Sequence, residues 1–520
     1  MRSTVRALII VRSLYKAQPA AFKADLAGTL HNYSVELNQT GSHKEALMAV
    51  EEGLFMYRSL YKDRPAAFKA DLAMTLNNYS NALGDAGRHE EALTTIGECL
   101  TLYRSLYEDR PAAFKADLAN TLNNYYNALS DAGRHEEALT AIGECLALYR
   151  SLYEDRPAAF KADLASTLNN YSNALSDAGR HEEALTAIGE CLALYRSLYE
   201  DRPAAFKADL ARTLNNYSKR LYEAGRHKEA LTAVEECLTM RRSLYEDRPA
   251  AFKADLAITL NNYSNRLSDA GRHKEALTAV EQSLTMHRSL HEDRPAAFKT
   301  DLAMTINTYS NALSDAGRHE EALTAIGECL TLYRSLYEDR PVAFKADVAR
   351  TLNNYSNALG DAGRHEEALT AIRECLTLYR SLFEDRPAAF KADLACTLNN
   401  YSNALSDAGR HEEALTTIGE CLTLYRSLYE DRPAAFKADL AMALNNYSKR
   451  LYEVGRHQEA LTTIEECLAK RRALYEARPD FYRSALSYTL RWYSFLLQRA
   501  ERQNESKAAQ EEVARLATEP

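Results

Sequence analysis

The sequence predicts an all-α fold, a solenoid of antiparallel helix pairs, and three observations support this prediction. A 46-residue repeat fills almost the whole chain, and 157–202 repeats 111–156 with only two changes. Eleven prolines stand 46 residues apart, from Pro19 to Pro479. Apolar residues recur every three or four positions in both halves of the repeat, a period typical of helices. Repeats of this length stack side by side into a solenoid.

The first half of each repeat predicts a helix, here named helix A. Its large apolar residues fall three or four positions apart and form one stripe down a helical face. Pro111 suits the first turn, where a missing N–H costs nothing, and Gly133 suits the left-handed residue that follows the last turn. The stripe in the 111–156 repeat consists of Phe114, Leu118, Leu122, Tyr125 and Leu129.

The second half predicts helix B, which carries two neighbouring apolar faces. Glu136 and Glu137 lie near its start, where the positive end of the helix dipole favours acidic residues. Arg156 precedes Pro157 and is therefore pushed out of helical geometry, so the helix ends there. Two apolar faces are needed because helix B packs on its own helix A and on the next repeat.

The repeat resembles the tetratricopeptide repeats, most closely the long-helix variety of kinesin light chains. Tyr126, at a small position of the motif, and His135, at an aromatic one, depart from the pattern. The resemblance implies a right-handed superhelix whose concave groove is lined by helices A, with asparagines that hold peptide ligands. The matching residues are Leu122, Tyr125, Leu129, Gly133, Ala138, Ile142, Cys145, the run Leu122–Asn124 and the closing Pro157.

The repeat divides the chain into three parts. Residues 1–18 are in register with the back half of a helix B, so we expect an orphan N-terminal B-type helix, although their basic composition also fits a mitochondrial presequence. Residues 19–478 form ten complete repeats without linkers. Residues 479–520 hold a divergent eleventh repeat and a polar C-terminal cap.

Composition and cysteine placement indicate partners and compartment. The net charge is −9 with mixed signs, which argues against nucleic acid as the main partner. No apolar run reaches the roughly 20 residues that span a membrane. Eight of the nine cysteines recur at one small site of helix B, so we expect core residues with free thiols, which suit the cytoplasm. These are Cys99, Cys145, Cys191, Cys237, Cys329, Cys375, Cys421 and Cys467.

The sequence predicts neither catalytic residues nor a metal or cofactor site. Ten histidines occur once per repeat, without the paired spacing of zinc motifs. No phosphate-binding glycine loop is present, and the carboxylates repeat as surface residues without a distinct catalytic pair. We therefore predict a non-enzymatic protein.

Helix A carries asparagines opposite its apolar stripe, and they predict a binding groove. Asparagine is a poor helix former, but its amide complements an extended peptide backbone. The alternative is that these amides bond neighbouring helices A to each other. The predicted ligand-binding residues are Asn78, Asn124, Asn170, Arg212, Asn216, Lys219, Asn262, Arg350, Asn354, Asn400 and Asn446.

One position on that face varies although the rest of the repeat barely changes. This pattern fits a binding surface tuned repeat by repeat, or else drift at an exposed site. Arg212, Asn216 and Lys219 fall at i, i+4 and i+7 and predict an acidic group in the ligand. The varied position holds Gly28, Met74, Asn120, Ser166, Arg212, Ile258, Met304, Arg350, Cys396, Met442 and Tyr488.

These observations predict a scaffold that binds extended peptide segments or protein partners, acidic ones among them, along the helix-A groove. The alternative is a sensor or oligomerisation array of a larger signalling protein, since similar arrays accompany nucleotide-binding switch modules or caspase-like proteases.

Overall fold

A computed structural model describes residues 2–40 and 42–518, which form helices joined by short turns, with no strand among them. Residue 1 of the predicted first part, Gly41 and residues 519 and 520 of the last part lie outside the described residues. Even-numbered helices are helices A, and odd-numbered ones are helices B. The helices are α1 (Arg2–Ala17), α2 (Pro19–Gln39), α3 (His43–Asp63), α4 (Pro65–Asp85), α5 (His89–Asp109), α6 (Pro111–Asp131), α7 (His135–Asp155), α8 (Pro157–Asp177), α9 (His181–Asp201), α10 (Pro203–Glu223), α11 (His227–Asp247), α12 (Pro249–Asp269), α13 (His273–Asp293), α14 (Pro295–Asp315), α15 (His319–Asp339), α16 (Pro341–Asp361), α17 (His365–Asp385), α18 (Pro387–Asp407), α19 (His411–Asp431), α20 (Pro433–Glu453), α21 (His457–Ala477), α22 (Pro479–Arg499) and α23 (Gln503–Thr518).

The chain divides into two compact units, Met1–Thr259 and Leu260–Pro520, with the division inside α12. Within the first unit, successive helices from α1 to α11 pack against each other. Within the second, α13 to α23 follow the same rule. The predicted all-α solenoid of antiparallel helix pairs is therefore confirmed, whereas the predicted three-part division stays a prediction.

Proline and glycine determine where the helices begin and end. Arg156 is extended, with φ −143° and ψ 75°, and Pro157 follows it at the first position of α8. At the other junction Gly133 has φ 72°, and the Arg134 N–H donates to the Leu129 carbonyl at 2.8 Å. This six-to-one bond closes the end of α6, as in a Schellman motif.

The core lies along the predicted apolar stripes. Leu122, Leu129 and Ile142 are fully buried. Cys145 is also fully buried, and its thiol donates to the Ala119 carbonyl at 3.2 Å. Burial raises the pKa of this thiol to about 12. The prediction that these cysteines are core residues is therefore confirmed at this site.

The C-terminal helices depart from the repeat in ways that the sequence indicated. Trp492 in α22 lies edge-on to Tyr452, with ring centroids 5.5 Å apart. Glu501 replaces the turn glycine and keeps its left-handed conformation, with φ 61°. A non-glycine residue there is strained, since its Cβ crowds the backbone. Among the described residues, no helix is both long enough and apolar enough to span a membrane.

Candidate ligand-binding groove

The candidate site is the side of each helix A that faces away from the apolar stripe, here called the helix-A face. It is defined by Asp117, Asn120, Asn123 and Asn124 of α6 and the equivalent residues of the other helices A. Asp117 and Asn120 are exposed, whereas Asn123 and Asn124 are half-buried. The face therefore has an open edge and a partly covered centre.

Side-chain amides link neighbouring helices A along the covered centre, and we call this series the amide ladder. The second asparagine of one helix donates its Nδ2 hydrogen to Oδ1 of the first asparagine in the preceding helix A. In the first compact unit the bonds run from Asn124 to Asn77 at 2.9 Å, from Asn170 to Asn123 at 2.9 Å and from Asn216 to Asn169 at 2.8 Å. In the second they run from Asn354 to Asn307 at 2.9 Å, from Asn400 to Asn353 at 3.0 Å and from Asn446 to Asn399 at 2.9 Å.

The ladder shows that these asparagines have a structural role. Each bond joins adjacent repeats, as the alternative interpretation of the asparagines predicted. The amide still has capacity for a ligand, since one carboxamide has two donor hydrogens and two lone pairs. Ligand binding by the asparagines therefore stays a prediction.

The ladder is interrupted where an asparagine is replaced. Thr308 takes the donor position in α14, and the Oδ1 of Asn261, the expected acceptor, is buried without a hydrogen-bond partner. Trp492 takes the donor position in α22, and Oδ1 of Asn445 is likewise unpaired. The Trp492 Nε1 donates to Ser448 Oγ at 3.1 Å. At the other end, the Asn78 amide nitrogen lies 3.0 Å from His31 Nε2.

The varied position lies on the open edge of the helix-A face. Met74, Ile258, Met304 and Tyr488 all expose large apolar side chains there. Single exposed apolar residues are common, but here the structure places them at one repeated position. The predicted variable surface is thus accessible within each compact unit.

The predicted basic residues have acidic partners inside the chain. Arg212 Nη2 donates to Asp209 Oδ1 at 2.7 Å, and Arg350 pairs with Asp347 in the same way. Lys219 Nζ lies 3.9 Å from Glu223 Oε1. Each of these pairs joins residues three or four apart in one helix, so the cations are partly neutralised before any ligand binds.

Arg220 has a structural position instead of a ligand-facing one. Only 4% of its side chain is exposed, and it forms an ion pair with Glu223. Its Nη2 also donates to Asn173 Oδ1 in the preceding helix A at 3.1 Å. Arg450 repeats this arrangement in α20, where it pairs with Glu453 and donates from Nη2 to Asn403 Oδ1 in the preceding helix A at 3.4 Å. Both arginines therefore connect neighbouring helices A.

Sequence reasoning missed an aspartate row at the open edge of the helix-A face. Its members lie three positions before the varied residue, and they include Asp71 in α4, Asp117 in α6 and Asp163 in α8. Partial burial raises the pKa of Asp117 and Asp163 above the ordinary value of 3.8. The sequence contains this row, because nearly every repeat keeps an aspartate three positions before the varied residue.

The described part of the chain holds no group of three or more His, Cys, Asp and Glu side chains arranged to bind a metal ion. The repeated histidines begin helices B, and several of them lie near carboxylates. His89 Nδ1, for example, is 3.9 Å from Asp131 Oδ2 in the next helix A. Such contacts fit helix-entry residues that join successive repeats.

Comparison with family models gives matches over more than half of the chain. One model described as a tetratricopeptide repeat matches residues 163–243, 301–381 and 393–473. A second model with the same description matches residues 72–112 and 256–296. Comparison with curated protein sequences found no match.

Solved structures with a similar fold show low sequence identity. BtubC (BKLC) from P. vanneervenii is 17% identical, with a TM-score of 0.39, over 48% of this chain and 92% of that chain. A Podosopora anserina putative kinesin light chain with nearly identical TPR-like repeats is 14% identical, with a TM-score of 0.33, over 44% and 98%. A monomeric mutant of IFIT1 with Gppp-AAAA is 14% identical, with a TM-score of 0.42, over 85% and 90%.

Proposed function

This chain belongs to the tetratricopeptide repeat family, and we propose that it is a non-enzymatic scaffold that binds extended peptide segments of protein partners along its helix-A face. The observation that carries the proposal is the contrast between a uniform core and a varied, exposed edge. Leu118 and Leu122 are buried in α6, and their positions hold an aliphatic residue in every repeat, whereas Asn120 between them is exposed and its position varies widely from repeat to repeat.

The amide ladder supports an extended ligand. It presents carboxamides at regular intervals along successive helices A, and their unused donors and acceptors suit a peptide backbone. The predicted groove residues of both compact units lie on this face, including Asn262, Asn354 and Asn446. We propose them as backbone-binding groups, with the varied position supplying selectivity.

A scaffold is favoured over an enzyme because the polar groups repeat. Every repeat offers nearly the same aspartate, asparagines and tyrosine, whereas catalysis depends on one specific constellation of an acid, a base or a nucleophile. The buried free thiols are consistent with a reducing compartment, and we propose the cytoplasm.

The acidic ligand predicted at Arg212 and Lys219 stays a prediction. Their pairing with Asp209 and Glu223 lowers the attraction that they offer a carboxylate, because part of the charge is already neutralised. A ligand carboxylate would have to compete with these aspartate and glutamate side chains.

A binding experiment with the full chain tests the proposed function. Partners are captured on the purified protein, their binding segments are mapped with peptide arrays, and affinities are measured by fluorescence anisotropy. Met74→Glu with Met304→Glu should weaken the mapped peptides, because both changes alter the exposed helix-A face. The matched control, Thr101→Glu with Thr331→Glu, places the same charges on exposed positions of helices B.

We expect a loss of about tenfold for the helix-A variant and less than about twofold for the control. Equal losses in both variants would contradict binding at the helix-A face. Capture of a short RNA instead of peptides would contradict the protein-binding function, and self-association without peptide binding would favour an oligomerisation array.

A further inference from the structure

The first compact unit carries a row of carboxylates that lack cationic partners. Asp25, Asp71, Asp117 and Asp163 lie at equivalent positions of α2, α4, α6 and α8. None of them takes part in an ion pair with another described residue. Partial burial disfavours the charged form of Asp117 and Asp163 and raises their pKa, an effect that a bound cation would offset.

A buried tyrosine of helix B lies within electrostatic range of each neighbouring pair of these carboxylates. Only 7% of Tyr103 is exposed, and the described residues give its hydroxyl no hydrogen-bond partner. Burial raises the pKa of that hydroxyl, and the charges of Asp117 and Asp71 raise it further. The Tyr103 hydroxyl therefore lies within electrostatic range of both carboxylates.

The same arrangement occurs on either side of Tyr103. The charges of Asp71 and Asp25 act on Tyr57. Those of Asp163 and Asp117 act on Tyr149, whose hydroxyl donates to Asn120 Oδ1 at 2.6 Å. Three polar niches thus follow one another, each with two carboxylates and one phenol.

Other repeats of the chain show what the equivalent carboxylate binds. Arg212 reaches Asp209 from the varied position. Arg241 replaces the niche tyrosine in α11, and its Nη1 donates to Asp255 Oδ2 at 2.6 Å. A guanidinium is therefore accommodated beside this aspartate from two directions, once along helix A and once from helix B.

We propose that the helix-A face of α2, α4, α6 and α8 binds an extended basic segment of a partner protein, with one Lys or Arg side chain in each aspartate–tyrosine niche. This inference rests on the proposed function and specifies its ligand. The niches offer carboxylates and phenols, and a basic side chain supplies the complementary charge and donors.

The spacing of the helices defines the sequence of that segment. Packed helix axes lie about 8–10 Å apart, and the direct hydrogen bond from Asn124 to Asn77 shows that neighbouring helices A approach closely. A polyproline II segment rises about 3.1 Å per residue, with three residues per turn. A basic residue at every third position would therefore meet successive niches from one side of the ligand.

The charge of the niches argues against other ligands for this face. A phosphate or a carboxylate would meet a row of negative charges, and like charges repel at short range. A nucleic acid or an acidic peptide should therefore avoid the face of α2 to α8.

Synthetic peptides test the proposal on the full chain. The first probe is a twelve-residue peptide of Arg-Pro-Ser triplets, which places arginine at every third position. The second has the same composition with the arginines in one block, and the third replaces each arginine with glutamate. We expect the first probe to bind at least about fivefold more tightly than the second, and the third to bind weakly if at all.

Two matched triple variants separate site binding from general electrostatics. Asp71→Asn, Asp117→Asn and Asp163→Asn remove three of the four niche carboxylates. The control changes Asp109, Asp155 and Asp201 to Asn, which removes the same charge at exposed ends of helices B. The niche variant should weaken the first probe by about tenfold or more, and the control by less than about twofold.

A third variant tests the tyrosine hydroxyl without changing the charge of the protein. Tyr103→Phe removes only the hydroxyl and should weaken the first probe by about two- to tenfold without changing the helical circular dichroism signal. Binding should also weaken as salt rises, because the niches are partly open to solvent.

The proposal is overturned if the arginine and glutamate probes bind equally, or if both triple variants lose affinity to the same extent. Binding of the glutamate probe alone, abolished by changes on the helix-A face, would overturn the basic ligand but leave the proposed function intact. Absence of binding by all peptides, captured segments included, would contradict both.

Discussion

Helices α8 and α10 share one backbone design but differ in how they use charge. Both begin with Pro-Ala-Ala-Phe-Lys-Ala-Asp-Leu-Ala, and both contribute to the amide ladder. In α8, Ser166 follows Asp163, and that carboxylate has no cationic partner among the described residues. In α10, Arg212 stands in the place of Ser166 and pairs with Asp209.

The difference shows that counting charges overstates a binding patch. Helix α10 carries three additional cations, Arg212, Lys219 and Arg220, and the first two were predicted to bind an acidic group of the ligand. The structure pairs all three with carboxylates of the same helix, and Arg220 is buried as well. The helix with fewer cations, α8, keeps Asp163 available for the proposed basic ligand.

An exchange at the varied position should have the largest effect. Ser166→Arg should neutralise Asp163, as Arg212 neutralises Asp209, and weaken the arginine-triplet peptide by about three- to tenfold. Fluorescence anisotropy measures the change.

Ser166→Gln is the control for this exchange, since it adds similar bulk without charge and should change affinity by less than about twofold. If both substitutions weaken binding equally, the bulk of the side chain rather than its charge explains the loss.

Removal of one amide of the ladder should have the next largest effect. Asn170→Ala leaves the half-buried Oδ1 of Asn123 without its donor and should lower the free energy of unfolding by about 1 kcal/mol. Chemical denaturation measures it. The exposed Asn127 has no ladder bond, so Asn127→Ala should change stability by less than about 0.5 kcal/mol. Equal losses would contradict a stabilising role of the ladder.

Restoring the missing hydrogen bond of the amide ladder should raise the free energy of unfolding by a similar or smaller amount. Thr308→Asn supplies the donor that Asn261 Oδ1 lacks and should raise the free energy of unfolding by about 0.5–1 kcal/mol. Thr308→Ala, which supplies no amide, serves as the control in the same denaturation experiment. A loss of stability in Thr308→Asn would show that α14 cannot form the bond found between the other helices A.

The smallest effect concerns the unpaired carboxylate itself. The pKa of Asp163 is raised on folding, so the folded state binds the proton more tightly and this group opposes folding at neutral pH. Asp163→Asn should therefore raise stability at neutral pH by at most about 0.5 kcal/mol, since solvent screens the exposed side chain.

The gain should shrink as the pH falls through the raised pKa, because the wild-type carboxyl then becomes neutral. Thermal melts at several pH values measure it. Asp209→Asn is the comparison in α10, where loss of the partner of Arg212 should give no gain. A pH-independent gain for Asp163→Asn would contradict the assigned cause.

Local sequence constraints are sufficient to specify the helices and their core. Proline fixes φ at the start of each helix A, glycine permits positive φ at its end, and the three- and four-residue spacing selects the buried face. The 46-residue period repeats these constraints along the chain, so the family and the solenoid follow from the sequence alone. The cysteine site followed from the same periodicity.

Packing between helices, in contrast, determines which polar groups remain available to a ligand. The helical pattern placed Asn124 and Arg212 on the surface opposite the apolar stripe. In the structure, Asn124 donates a hydrogen bond to Asn77 of the neighbouring repeat, and Arg212 pairs with Asp209 of its own helix. Such pairings depend on the approach of adjacent helices and on side-chain rotamers, which a one-dimensional pattern does not specify. The niche at Tyr103 arises in the same way, because residues of three different helices form it.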